Sequence, residues 1–178
     1  EKKLITFYSE SRNDWPHLQK FVYEVLNNSG FHVCYISSDH EDPGLKVTRD
    51  KFQSFLIDNG YLRNWLFKNL KTKICFMTLP DLDNFQLKRS KYDVHYVYIH
   101  HSLVSMHTVY RQRAFNSFDT IFCPAHHHTE EIKKITKLYN IKEKRIVKSS
   151  YNKIDNLIKK RNSIKKNLNI RVLIAPSW

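Results

Sequence analysis

Seven short apolar runs recur along this 178-residue chain: LITFYS, FHVCYIS, KICFMTLP, VHYVYIH, TIFCP, RIVKS and IRVLIAP. β-Branched and aromatic side chains dominate them, as a buried pleated surface requires. Between them, most segments carry apolar residues at helical spacing. After the first run, Asp14 takes an N-cap position and Pro16 a first-turn position; Trp15, Leu18, Phe21, Val22, Val25 and Leu26 form one face, and Gly30 closes the helix. From Thr48 to Leu70 the apolar positions Phe52, Phe55, Leu56, Leu62, Trp65, Leu66 and Leu70 predict two helices broken at Gly60. Further helices are expected over His107 to Phe115, over Thr129 to Tyr139 and over YNKIDNLIKKR. The second of these carries Glu130 and Glu131 in its first turn and Lys137 in its last, matching the macrodipole. Strands alternating with helices predict an α/β fold, a mostly parallel sheet with helices on both faces. A chain of this length buries roughly 70% of its unfolded surface and needs no disulfide or structural metal to hold a core.

Glycine is scarce. Gly30, Gly44 and Gly60 are the only three, well separated, so neither a G-x-G-x-x-G fingerprint nor a G-x-x-x-x-G-K-[ST] phosphate loop exists in this segment. The apolar stretches around Val94 to Val104 and Ile170 to Ala175 fall short of the roughly 20 residues a membrane span needs. The start, EKKLITFYSE, has no apolar core or cleavage site of a signal peptide, so a cytoplasmic location is expected. Cys34, Cys75 and Cys123 sit inside apolar runs with no C-x-x-C pair, which predicts buried free thiols.

The net charge of +13 is concentrated. Between Lys133 and Arg171 lie 14 of the 30 Lys+Arg and two of the 17 Asp+Glu, leaving 16 basic against 15 acidic residues elsewhere. Such a patch suits a solvated surface, an anionic membrane or nucleic acid. Tyr139 and Tyr151 are its only aromatics, so stacking platforms for bases are scarce and nucleic acid is not the expected partner. An anionic membrane surface fits better.

Ligands of such sheets gather at the carboxyl ends of the strands. The residues just past the expected strands are Ser9 and Glu10, then Asp81 with Lys88 and Arg89 nearby, then His100, His101 and Ser102, then His126, His127 and His128, then Ser149 and Ser150. A histidine at such an edge is a candidate general base. The His126–His128 run precedes a helix whose backbone N–H groups suit a phosphate oxygen, or serve as a plain cap. Ten histidines raise the question of a metal, but adjacent residues point apart and no H-x-x-x-H or Cys/His ligand pattern occurs, so no metal site is expected.

The stretch HYVYIHHSLVSMHTVYRQRAFNSFDTIFCPAHHHTEEI, with TLPDLDNFQLKRS upstream and the closing RVLIAPSW, resembles the CDP-glycerol glycerophosphotransferase family, relatives of the teichoic-acid polymerases and primases. The likeness runs from about Asp42 to Trp178. It implies a GT-B enzyme of two Rossmann-like domains, of which residues 1–170 are the N-terminal, acceptor-side domain. Residues 171–178 would then begin the crossing to a C-terminal domain that binds CDP-glycerol or another nucleotide-activated donor; this half needs no cofactor of its own. By resemblance His101 in HHS is the base on the acceptor hydroxyl and His100 the fallback, while Ser102, Ser105, Tyr110 and Arg111 orient the acceptor or its phosphate. Lys88, Arg89 and Arg111 would offset developing phosphoryl charge. The sequence departs from the family in CPAHHH and SSYNKID, where Gly is expected.

The expected function is therefore transfer of glycerol-phosphate, or a similar polyol-phosphate, from a CDP-activated donor to a lipid-linked or polymeric cell-surface acceptor, on the inner face of the membrane. This domain alone should be inactive. A nucleotide-sugar-dependent glycosyltransferase or epimerase of the same build, and a non-catalytic basic module for polyanions, are the alternatives.

Overall fold

The computed structural model describes residues 4–163 together with Val172, Ile174 and Ala175. Seven strands, β1 (Leu4–Ser9), β2 (His32–Ser37), β3 (Phe52–Leu56), β4 (Ile74–Met77), β5 (His95–Ile99), β6 (Thr120–Cys123) and β7 (Arg145–Lys148), form one sheet. Every pairing is parallel, in the order β3-β2-β1-β4-β5-β6-β7. The connecting helices are α1 (Trp15–Asn28), α2 (Tyr61–Asn69), a single turn α3 (Met106–Val109), α4 (His126–Leu138) and α5 (Asn152–Ser163). The chain winds outward from β1 to β3, then returns to lay β4 against the other side of β1. Adjacent loops from β1 and β4 consequently leave in opposite directions and open a crevice at their carboxyl ends.

Both faces of the sheet are buried, which is why the strands read as nearly continuous apolar runs. One core gathers Tyr8, Met77, Tyr96, Tyr98 and Ile121 with Phe67 of α2 and Ile132 of α4. The other gathers Ile5, Phe7, Val33 and Tyr35 with Trp15, Leu18 and Val22 of α1. Cys75 and Cys123 are buried and Cys34 half-buried, all free, and burial pushes the Cys34 and Cys123 thiols up to about 11.

The ends of β1 and β2 are tied by a buried carboxylate. Asp42 Oδ2 accepts from the hydroxyls of Ser9 and Ser37 at 2.7 Å each and of Tyr35 at 2.9 Å, while Oδ1 accepts from the Gly44 N–H at 2.7 Å. This clamp draws Gly44 so close to the aromatic layer that a Cβ there would stand 2.5 Å from Tyr35 Cζ and 2.8 Å from Trp15 Cε3. Gly44→Ala is therefore expected to cost about 2 kcal/mol through overpacking. Urea unfolding checks this, and an unchanged midpoint would show that the rings yield freely.

Several expected elements differ. The first half of the helix pair expected from Thr48 to Leu70 is strand β3, because a spacing of three and four over only five residues suits either element and β2 offers an open edge, pairing Val33 to Phe52 through Ser37 to Leu56. Only the second half is helical, with Gly60 at the N-cap position of α2. The helix expected over His107 to Phe115 is the single turn α3: Tyr110 is extended and Arg113 has φ 67°, which ends helical winding. α4 starts at His126, ahead of Thr129, so Glu130 and Glu131 fall in its second turn and the expected match to the macrodipole holds only for Lys137. Asp14 occupies its N-cap position, but its carboxylate makes no cap and bonds backward instead. The strand expected in IRVLIAP lies largely outside the described residues; Val172, Ile174 and Ala175 belong to no strand.

Candidate functional site

The crevice at the β1/β4 switch is a cleft of about 640 Å³. Its walls are Glu10 to Asp14, Pro16 and His17 from the turn into α1, Thr78 to Pro80 after β4, His101 after β5, Tyr110, and Lys153 at the start of α5. The turn is shaped by Asp14, whose carboxylate accepts the N–H groups of Glu10 at 3.0 Å and Ser11 at 3.1 Å. Those bonds fold the chain back so that α1 begins at the cleft rim, with Pro16 supplying a fixed φ in its first turn. Glu10 is held at 2.8 Å by Arg63, which α2 brings across, and Arg12 is held by Asp39 at 2.8 Å. Lys153 is the remaining cation on the wall, and among the described residues its side chain enters no hydrogen bond or ion pair.

His101 is anchored at both ends. Its Nδ1–H donates to the Thr78 carbonyl at 3.0 Å, and its own carbonyl accepts the Tyr151 hydroxyl at 2.7 Å. A proton on Nδ1 leaves the lone pair on Nε2, the tautomer a general base needs. Tyr110 stands edge-on to the ring with centroids 6.2 Å apart, and the Tyr98 hydroxyl lies 3.4 Å from Nδ1. His17 is also edge-on to the ring, with centroids 6.5 Å apart. Burial, and secondly the neighbouring His101, lowers the His17 pKa to about 4, so its ring is neutral at pH 7.

Of the candidates read from the sequence, this cleft brings together His101, Tyr110 and Glu10. His100 turns to the opposite side: it is buried, its ring stacks on His128 with centroids 4.3 Å apart, and neither ring nitrogen has a hydrogen-bond partner among the described residues. Consecutive residues at a strand end face opposite ways, so His100 cannot stand in for its neighbour. Burial chiefly, then His128, lowers its pKa to about 3.

Arg89 is also misplaced by its position in the sequence. It donates to Asp119 Oδ2 and the Val94 carbonyl at 3.1 Å each and to the Ser117 carbonyl, and it covers the Tyr96 ring at 4.8 Å. Those partners precede β5 and β6, so Arg89 staples the amino edge of the sheet, opposite the cleft. The long loop after β4 has already run back along the sheet when it reaches Arg89. Lys88 donates to the Asp83 carbonyl at 3.2 Å, and Arg111 lies over the Phe85 ring at 4.7 Å; neither lines the cleft.

Ser105 donates to Glu131, which also accepts the Met106 N–H at 2.6 Å, so Glu131 caps α3 while the Ser105 hydroxyl caps nothing itself. Ser102 is half-buried near the Val104 N–H at 3.5 Å. His128 is buried with Nε2–H donating to the Val104 carbonyl at 3.1 Å, and His127 is exposed beside it. The triple-histidine run thus splits between core and solvent, and none of Ser102, Ser105, His127 or His128 lines the cleft. Among the described residues no group of three or more His, Cys, Asp or Glu converges to hold a metal ion.

Sequence reading missed His17, Arg63, Tyr151 and Lys153. Only His17 carried a signal, as a titratable residue in the turn just past the first expected strand; of the others, Lys153 lines the cleft, while Arg63 pairs with the cleft's Glu10 and Tyr151 bonds the His101 carbonyl, all three brought there by tertiary packing. No protein-family model and no curated protein matches this chain.

Proposed function

We propose that this domain is the acceptor-side half of a transferase in which His101 activates a hydroxyl. The observation that carries the reading is the His101 imidazole at the switch-point cleft, pinned through Nδ1 to the Thr78 carbonyl so that Nε2 is free to take a proton. The resemblance of HHSLVSMHTVYRQRAF to the glycerophosphotransferases supplies the chemistry. In that reaction Nε2 removes the acceptor hydroxyl proton and the oxygen attacks the β-phosphorus of CDP-glycerol. The bond to the bridging oxygen breaks, CMP leaves with its electron pair, and the imidazolium returns the proton to solvent. Lys153 is placed to attract an anionic acceptor.

Among the described residues no helix is long and apolar enough to cross a membrane. The acceptor would be met at an anionic leaflet, an idea supported by α5, where exposed Ile154, Leu157 and Ile158 lie among Lys153, Lys159, Lys160 and Arg161. The test is a donor panel on the full-length gene product. CMP release from CDP-glycerol, absent with nucleotide-sugars, is the expected result; turnover with nucleotide-sugars alone would replace the reaction with glycosyl transfer.

A further inference from the structure

We infer that Tyr151 and Asn152, where α5 begins, are positioning residues for the two cleft histidines. Each spends its side chain on the backbone of one of them. The Tyr151 hydroxyl donates to the His101 carbonyl at 2.7 Å, and Asn152 Nδ2 donates to the His17 carbonyl at 3.0 Å. Asn152 is buried, and the Tyr151 ring packs on the His17 ring with centroids 5.3 Å apart. Burial, and secondly Tyr110, raises the Tyr151 pKa, so the hydroxyl keeps the proton it donates.

The helix behind them is fixed to α1 by Lys20, whose ammonium lies 2.8 Å from Ser150 Oγ and 3.8 Å from Asp155. One short segment thereby ties together the loop after β5 and the first turn of α1. The need is local. Past β5 the chain leaves the sheet at His101, and the next regular element begins at Met106. The His101 ring is held through Nδ1 by the Thr78 carbonyl at 3.0 Å, with the Tyr98 hydroxyl at 3.4 Å, and its backbone carbonyl is held by Tyr151. A shift of about 1 Å in a reacting group can cost on the order of 100-fold in rate, so a bond on the base's own carbonyl has leverage over catalysis.

This inference rests on the reading of His101 as the base. The experiment compares Tyr151→Phe with wild type in the full-length protein, alone and in a His101→Ala background, using CDP-glycerol as donor. Expected are a fall in kcat of roughly 10-fold to 100-fold, a KM within about twofold of wild type, no further loss in the His101→Ala background, and displaced His101 ring signals in long-range 1H–15N spectra. An equal loss in both backgrounds, or unchanged kcat with unmoved ring signals, would overturn the positioning role. If His101→Ala alone turns over like wild type, the base reading fails instead, and the ring signals decide: displaced signals support positioning and unmoved ones refute it.

Discussion

Between about pH 6.5 and pH 4 the folded domain is expected to lose several kcal/mol of stability. Two buried histidines drive the loss. Burial is the first cause in each, lowering His17 to about 4 and His100 to about 3, and it lowers His128 as well. In the unfolded chain all three return to about 6.5. Because the folded values are the lower ones, the unfolded state binds more protons throughout this window. The contribution to stability is complete above about pH 6.5 and is lost as pH falls toward the folded values, at roughly 1.4 kcal/mol per pH unit for His17 and for His100. Geometry gives the reason: both ring nitrogens of His100 and Nδ1 of His17 and His128 are buried without hydrogen-bond partners among the described residues, so a proton placed there finds no acceptor among them. Among the described residues the groups that act on or touch the His100 ring are His128, His101, His127, Tyr98 and Phe115, none of them anionic. Urea unfolding at stepped pH measures the slope, and His100→Leu should flatten it. A free energy of unfolding constant from pH 7 to pH 4.5 would contradict this description of the core.

His101→Ala is expected to lower kcat by roughly 100-fold to 10,000-fold, the range a positioned general base contributes. His101→Gln should be about as slow, although its amide N–H can still reach the Thr78 carbonyl, because an amide puts no basic nitrogen where His101 Nε2 stood. The fold should tolerate either change: the residue is half-buried at the cleft rim, and the alanine variant removes the hydrogen bond to Thr78, worth about 1 kcal/mol, and a long contact at 3.4 Å to the Tyr98 hydroxyl. Rates and thermal unfolding measured on the same samples separate the two effects. A glutamine variant of near wild-type speed would show that the side chain orients and does not accept a proton.

The alternation of elements was legible because a doubly covered parallel sheet demands uninterrupted apolar strands, and LITFYS, VHYVYIH and TIFCP carry them visibly. β3 was not legible: FQSFL is a short edge strand whose spacing also fits a helix, and its pairing with β2 decides. Within the site, His101 could be found because it follows a clear strand, and the same rule named His100, whose ring faces away from the cleft, a matter of one residue. Arg89 shows the limit of reading charge by proximity to a strand end, since a loop of 17 residues between Met77 and His95 can return to the other edge before the next strand starts. His17, Tyr151 and Lys153 converge on His101 from elements far apart in sequence, a meeting that sheet order creates and no local pattern announces.

Chemical rescue tests the central claim most directly. In full-length His101→Gly, imidazole added to the assay should restore CMP release from CDP-glycerol in proportion to its free-base concentration, since the cleft then has room for the missing ring. A variant that turns over at the wild-type rate without imidazole, or one that stays at its residual rate at every imidazole concentration, would contradict a proton-accepting His101.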